Sequence, residues 1–466
     1  MDKPIVIFGA SGAGRKIAEV IHRLNKHVIY FVDNDSRKWY SEFCGKMVYP
    51  PEELLRNDYS IVMGSTHVAE IEKQLEQMGI RDRLIYGDVF KLEYIEQNLD
   101  EFRATPIDNN PKKQPDVLID ISTGPPMCGV WTWSFHVANM LYDRKHKISF
   151  FYSNTEENIP DYISDLMTVH NYPEQGYIDT IRDMAGTIIS HLPCSVIINF
   201  QGEMMYAAIA VKKLFPTKIN IISVIHNDDS DVCIKSKLAE AYLDKILCVS
   251  MDIRNKMLIK YNITDDKLFY KELPIDVDGK TEKTYTTDSS KPIIIGYAAR
   301  LEIYQKRVDL LIPLIQILEN HHCNYKLLIA GNGSYYDNLV DFITQNEIKA
   351  VQLMGRLARE DMNEFWKKCD VFINVSEFEG SSISLLEAMA SGVIPVVTEV
   401  SGTNEFIQNG KNGYVYPVGD MEGIAGRVME IEKDRSLLVE LGNRTKQMIK
   451  IKCNPTDYIN FIETLL

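Results

Sequence analysis

Three consecutive stretches decide the fold: Asp370-Val371-Phe372-Ile373-Asn374-Val375, then Glu379-Gly380-Ser381-Ser382-Ile383-Ser384-Leu385-Leu386-Glu387-Ala388-Met389-Ala390-Ser391-Gly392, then Val393-Ile394-Pro395-Val396-Val397. The first is a short apolar run with the look of a buried strand, and the second opens on a glycine and three serines and reads as a helix. The third is another apolar run ahead of a polar break. Strand, helix and strand in that order build a parallel, doubly wound sheet. Glu379 then sits in the loop at the carboxyl end of its strand. The free N–H groups of the following helix start favour a diphosphate there. Glu387 lies farther along the helix, placed to hydrogen-bond paired ribose hydroxyls, while Glu379 faces a different part of the same ligand.

Working outward, the same alternation recurs along the chain. Strands are expected at 293–297, 326–329, 352–354, 371–375, 395–398 and 414–416, and an earlier series at 117–121, 148–152, 195–200, 220–225 and 245–249. A shorter series precedes both. Pro4 to Phe8 leads into Gly9-Ala10-Ser11-Gly12-Ala13-Gly14, a helix runs to about Leu24, and a strand from Val28 ends at Asp33, which is half of a dinucleotide-binding unit. The polar, proline-bearing segment 104–115 reads as a linker. The fold class is therefore α/β: two doubly wound Rossmann-like lobes, 116–285 and 286–450, preceded by a third, small Rossmann-like domain at 1–103. A terminal helix within 451–466 is expected to pack back across the lobes.

At 466 residues, 45% of them hydrophobic and 25% charged, the chain is long enough for several packed cores. No apolar run reaches the ~20 residues needed to cross a bilayer, and the chain enters a strand directly, so a cytoplasmic location is expected. The eight cysteines lack any Cys-x-x-Cys pair and read as reduced core thiols. A net charge of −14 speaks against a general nucleic-acid binder. Neither a metal-ligand cluster nor a cofactor motif for the two lobes is found, and no metal is expected.

The carboxylate pair does not stand alone. Gly296-Tyr297-Ala298-Ala299-Arg300-Leu301 with Lys306, Gly331-Asn332-Gly333, and Leu353-Met354-Gly355-Arg356 precede it in order, and together these motifs resemble the retaining glycosyltransferases of group 1, the fourth family. The resemblance is concentrated over 290–450, extends more loosely over 115–285 and stops before about 110. It implies a GT-B architecture, with 116–285 as the acceptor lobe and 286–450 as the donor lobe, and transfer of a sugar from a nucleoside diphosphate to a saccharide, lipid-linked or protein acceptor during glycan assembly. By the same resemblance, Arg300 and Lys306 meet the departing diphosphate, Glu379 the donor sugar and Glu387 the ribose. Gly380, Ser381, Ser382 and Ile383 complete the cradle, Gly331 and Gly333 form its glycine turn, and Met354 and Arg356 lie beside the base. Six steps separate Arg300 from Lys306 where the family keeps five, so Glu302-Ile303-Tyr304-Gln305 makes a longer loop. A glutamate before a helix start also complements the helix dipole with no ligand at all.

Growing charge on a leaving diphosphate is expected to be met by fixed cations and N–H dipoles. Retention brings the acceptor in on the face the diphosphate leaves, and a phosphate oxygen then serves to take its proton. In the acceptor lobe, Gly124-Pro125-Pro126-Met127-Cys128-Gly129 stands at the family's glycine-rich loop, giving Gly124 and Gly129 as donor-side residues or simply a stiff turn. His226, after a strand end, stands where relatives place a histidine beside donor sugar and phosphates, and a structural role is the alternative.

Residues 1–100 resemble the nucleotide-sugar-binding domain at the front of bacterial sugar acyltransferases. Gly9, Ser11, Gly12 and Gly14 occupy its glycine loop and Asp33 the ribose position, with a structural or homo-oligomer-forming module as the alternative. Basic and apolar residues over 207–222, with Lys212, Lys213 and Lys218, leave peripheral docking at the inner face of a membrane open. The functions that remain as rivals are a sugar-nucleotide epimerase of the same fold and a non-catalytic sugar-nucleotide binder. The lack of a Tyr-x-x-x-Lys in 1–114 counts against an oxidoreductase.

Overall fold

The computed structural model describes residues 3–103, 116–121, 128–152, 167–172, 175–277 and 283–466. The 104–115 linker and Gly124 lie outside the described residues. Nineteen strands form three sheets among those described.

The first sheet runs in the order β3-β4-β2-β1-β5-β6, from β1 (Ile5–Phe8), β2 (Val28–Val32), β3 (Glu42–Phe43), β4 (Lys46–Tyr49), β5 (Ser60–Met63) and β6 (Leu84–Tyr86). The second runs β13-β12-β11-β10-β7-β8-β9, with β7 (Asp116–Asp120), β8 (Ile148–Tyr152), β9 (Thr168–Asn171), β10 (Cys194–Ile198), β11 (Ile219–Ile225), β12 (Lys245–Cys248) and β13 (Leu268–Tyr270). The third runs β16-β15-β14-β17-β18-β19, with β14 (Ile293–Ala298), β15 (Tyr325–Ala330), β16 (Val351–Gly355), β17 (Val371–Asn374), β18 (Ile394–Thr398) and β19 (Tyr414–Tyr416). Among the described residues, these strands pair in parallel except β3 with β4. The central strands are apolar on both faces because helices cover both, so they show up in the sequence as continuous runs. The short peripheral strands β3, β4, β9 and β13 lie outside the expected set.

The helix Pro455–Leu465, which begins with its proline at the first turn and is capped by the Asn454 carboxamide, returns to the second sheet. There Trp133 Nε1 donates to Tyr458 Oη at 2.8 Å, and Asn220 Nδ2 donates to the Leu465 carbonyl at 2.8 Å.

The helix Glu203–Leu214 is buried over Glu203 to Val211, wedged between the second sheet and the first domain. Lys212 pairs with Asp244 at 2.8 Å and Lys213 with Glu96 of the first domain at 3.0 Å. Both lysines serve contacts within the protein, and Lys218 is half-buried. Among the described residues, no helix is long and apolar enough to cross a membrane.

Candidate active site

The third sheet's order reverses between β14 and β17, so the loops after these two strands face a common crevice. The loop after β14 carries Arg300 to Lys306 and the loop after β17 carries Ser376 to Ser382. Their side chains join in one polar chain. Arg300, exposed, donates from Nη2 to Gln305 Oε1 at 3.0 Å, and Gln305 Nε2 donates to the Phe378 carbonyl at 3.2 Å and to Glu379 Oε2 at 3.3 Å. Lys306 Nζ lies 2.6 Å from Glu379 Oε1, which also accepts from Ser376 Oγ at 2.7 Å. Glu379 is only 5% exposed, so its charge is tolerated there because an ammonium, a hydroxyl and an amide all donate to it. Gln305 and Ser376 escaped the sequence reading. Gln305 ends the lengthened loop, but no local pattern marks the contact either residue makes.

The helix Ile383–Ala390 begins just beyond, capped by Ser382, whose Oγ accepts from Leu385 N at 3.4 Å. Ser381 Oγ is enclosed without a partner. Its neighbour Gly380 makes an antiparallel bridge with Asn227 of the acceptor lobe, and Asp228 N donates to the Glu379 carbonyl at 3.2 Å. A Cβ on Gly380 would collide with the His226 carbonyl oxygen, so glycine is what lets the lobes meet here. Gly129 approaches from the other lobe as well, where a Cβ would stand 3.4 Å from Ile383 Cδ1. Gly331 and Gly333 pack against the backbone of Ala299 and Leu301 and thereby fix the start of the Arg300 loop.

His226 is placed at this seam. Its Nε2 is 2.9 Å from Asn199 Oδ1, and the Asn199 amide donates to the Asp120 carbonyl and to Ser134 Oγ. The Asn199 oxygen must therefore accept, so Nε2 carries the hydrogen and Nδ1 keeps a lone pair. Burial pushes the imidazole pKa down to about 3, which makes it neutral at physiological pH. Trp133 holds the ring edge-to-face at 5.0 Å.

Glu387 is not joined to this chain. It faces a cavity of about 300 Å³ between the lobes, lined by Ile383, Arg359 and Trp366 on the donor side and Thr132, Trp133 and His136 on the acceptor side. Burial raises its pKa above the usual carboxylate range, against the opposing influence of the Trp366 indole N–H at 3.5 Å and of Arg359. Met354 is partly buried against the core and Arg356 is exposed; neither lines this cavity. Arg359 and Trp366 take the side of the cavity opposite Trp133, and nothing in their sequence surroundings marks them out.

The first domain behaves differently. Asp33 Oδ2 accepts from Ala10 N at 2.8 Å and from Lys38 Nζ at 3.0 Å, and Oδ1 accepts from Asp35 N at 2.8 Å. Asp33, expected to meet a ribose, accepts from these three protein donors and so holds the glycine loop in place. Ser11 caps its helix and donates to the Gly64 carbonyl at 3.0 Å. Gly9, at φ +121°, and Gly14 lie where a Cβ would strike the Gly64 and Gly9 carbonyls respectively. Both glycines serve strand–helix packing, and of the loop's three glycines only Gly12 faces open space. This domain also reaches the donor lobe, where His67 meets Tyr304 edge-to-face at 5.2 Å and Tyr304 in turn meets Phe378. Among the described residues, no group of three His, Cys, Asp or Glu side chains is disposed to hold a metal ion.

Two Rossmann-like lobes facing each other across a crevice define the GT-B fold. Solved structures agree: HepE of Anabaena in complex with UDP and glucose superposes with a TM-score of 0.63 at 15% identity, over 76% of this chain and 99% of that one. A mutant TarM of Staphylococcus aureus, solved with fondaparinux, alpha-GlcNAc-glycerol and UDP, matches 99% of each chain with a TM-score of 0.55 and 13% identity. Residues 280–448 match the model for Glycosyl transferases group 1, and residues 1–86 the model for C2185-like, N-terminal. Among curated relatives, an uncharacterized glycosyltransferase of Methanocaldococcus jannaschii, MJ1178, is 24% identical over 68% of this chain and 89% of its own length. N-acetyl-alpha-D-glucosaminyl L-malate synthase of Bacillus anthracis is 26% identical over 55% of this chain and 70% of its own. The chain thus carries a group 1 glycosyltransferase domain on a GT-B scaffold.

Proposed function

We propose that the protein transfers a sugar from a nucleoside diphosphate to a hydroxyl-bearing acceptor in glycan or glycoconjugate assembly, with retention at the anomeric carbon and without a metal. The observation that carries this reading is the polar chain Arg300–Gln305–Glu379–Lys306 beside the helix start at Ser382. A guanidinium, an ammonium and unpaired N–H groups converge there on the place where diphosphate charge would grow. Glu379 aims Lys306, and Ser381, with its hydroxyl unpartnered, is poised to donate to a ligand oxygen. Glu387 meets the ribose from the adjoining cavity, and Arg359 partly offsets its charge. Neutral His226 lines the acceptor side, where it donates to Asn199 and offers no charge of its own.

The test is incubation with uridine, guanosine and adenosine diphosphate sugars, with and without EDTA. Diphosphate release is read by mass and the product's anomeric configuration by NMR. Retained configuration and undiminished rate in EDTA are expected. Inverted product, or activity lost to EDTA and restored by a divalent ion, would overturn the corresponding part of the proposal. Isomerised donor in the absence of acceptor would favour an epimerase.

A further inference from the structure

The first sheet reverses order between β1 and β5, and the second between β7 and β10. Open α/β sheets bind ligands at such points, outside the carboxyl ends of the strands. Here the two crevices open into each other. Gly12 and Ser65, which follow β1 and β5, and Gln201, which follows β10, line a single cavity of about 460 Å³ between the first domain and the acceptor lobe. That volume lies within the ~300–1,000 Å³ typical of small-molecule sites. His226 and Asn227 also line it, and Asn227 is bridged to Gly380 beside Glu379. One strand-end residue thus touches both this cavity and the loop of Glu379.

Its chemistry is that of a neutral, hydroxyl-bearing ligand. Lys16 pairs with Glu203, Lys91 with Asp88 and Lys235 with Asp231, so the charged lining side chains cancel. The Tyr177 ring lies between Lys16 and Lys91, whose ammonium groups are 5.7 and 5.3 Å from its centroid. Tyr177 is 5% exposed, and its hydroxyl has no hydrogen-bond partner. Buried hydroxyls are rarely left this way, and a ligand oxygen would satisfy it. Asp33 and Ser11 are engaged by protein groups, so the Tyr177 hydroxyl is the lining group left open to a ligand oxygen.

We infer that this cavity holds the saccharide or polyol part of the acceptor, so that the first domain supplies half of the acceptor site. The inference rests on the transferase reading above. It places acceptor hydroxyls along Tyr177 and paired charges, with the reacting end directed past Asn227 toward the donor.

Two substitutions test it in the full-length protein. Gly12→Leu grows a side chain where a Cβ meets nothing within 4 Å, and Tyr177→Phe removes only the unpartnered hydroxyl. Saturation-transfer NMR is run with methyl α-D-glucopyranoside, methyl N-acetyl-α-D-glucosaminide and ribitol, with inorganic phosphate as the charged control. At least one neutral probe is expected to bind the wild type, to bind about tenfold more weakly in both variants, and to bind Arg300→Ala as it does the wild type. Phosphate binding alone, no neutral probe bound to the wild type, or neutral binding unmoved by Gly12→Leu would each overturn the inference. Calorimetry with UDP, GDP and ADP separates the two claims: failure of all three to bind the wild type sinks the transferase reading, whatever Gly12→Leu does to the neutral probes.

Discussion

The donor crevice and the crevice of the first domain begin from the same local plan, a strand leading into a glycine turn and a helix, yet they use their polar groups in opposite ways. In the donor lobe, Arg300 remains exposed, Ser381 lacks a partner, and Lys306 and Glu379 form a pair at the crevice. In the first domain, Asp33 and Ser11 are consumed by backbone groups, and Gly9 and Gly14 are consumed by packing. A glycine loop reports a close approach of backbones. Whether it also reports a ligand depends on which donors and acceptors are left over after the fold is satisfied.

Lys306→Ala should break the comparison hardest, because it removes a cation from the crevice and leaves Glu379 buried without its charge partner. Turnover is expected to fall on the order of 10³-fold, with stability reduced by about 3 kcal/mol in denaturant titration. Arg300→Ala separates the two effects: turnover should drop about 10²-fold, while the denaturation midpoint stays put because the side chain is exposed. Asp33→Ala supplies the opposite pattern. It should cost roughly 1–3 kcal/mol of stability, since Ala10 N–H loses its acceptor, yet leave turnover per folded molecule at the wild-type level. A tenfold fall in that turnover would mean that Asp33 has a ligand after all.

The smallest effect concerns Glu387. Its folded-state pKa is raised, so the native protein binds a proton more tightly than the unfolded chain does. Stability is therefore lost as pH rises from the ordinary glutamate value of 4.5 through the raised one. Glu387→Gln should flatten that loss in thermal melts without nucleotide, and at the same time weaken nucleotide binding in calorimetry. If the variant melts as the wild type does across that range, the carboxylate is not held at a cost for a ligand.

Much of this is legible in the sequence. Runs such as Ile293 to Tyr297 and Val371 to Val375 announce buried parallel strands because helices cover both of their faces, and the Arg300, Lys306 and Glu379 motifs fall on the loops that converge. The edges were harder. β3 and β4 pair through Glu42 to Tyr49 around Cys44-Gly45, and of these residues only Val48 is buried, so no periodic signal marks them. Gln305 and Ser376 support Glu379 through tertiary contacts that no local pattern encodes. Lys212 and Lys213 show the same limit: a basic edge on an apolar helix is the same pattern whether its partner is a lipid headgroup or a carboxylate, and here Asp244 and Glu96 pair with them. Asp33 occupied the expected position at the end of β2, but its hydrogen bonds decide its role, and those depend on where Ala10, Asp35 and Lys38 fold.

The edge-to-face pair of His67 and Tyr304 has a mechanical meaning. Tyr304 belongs to the lengthened loop that also carries Gln305 and Lys306, so the appended front module is tied directly to the loop that holds the crevice's ammonium group. An aromatic pair of this kind contributes about 0.5–1.5 kcal/mol. His67→Ala would remove that tie without touching a side chain of the crevice.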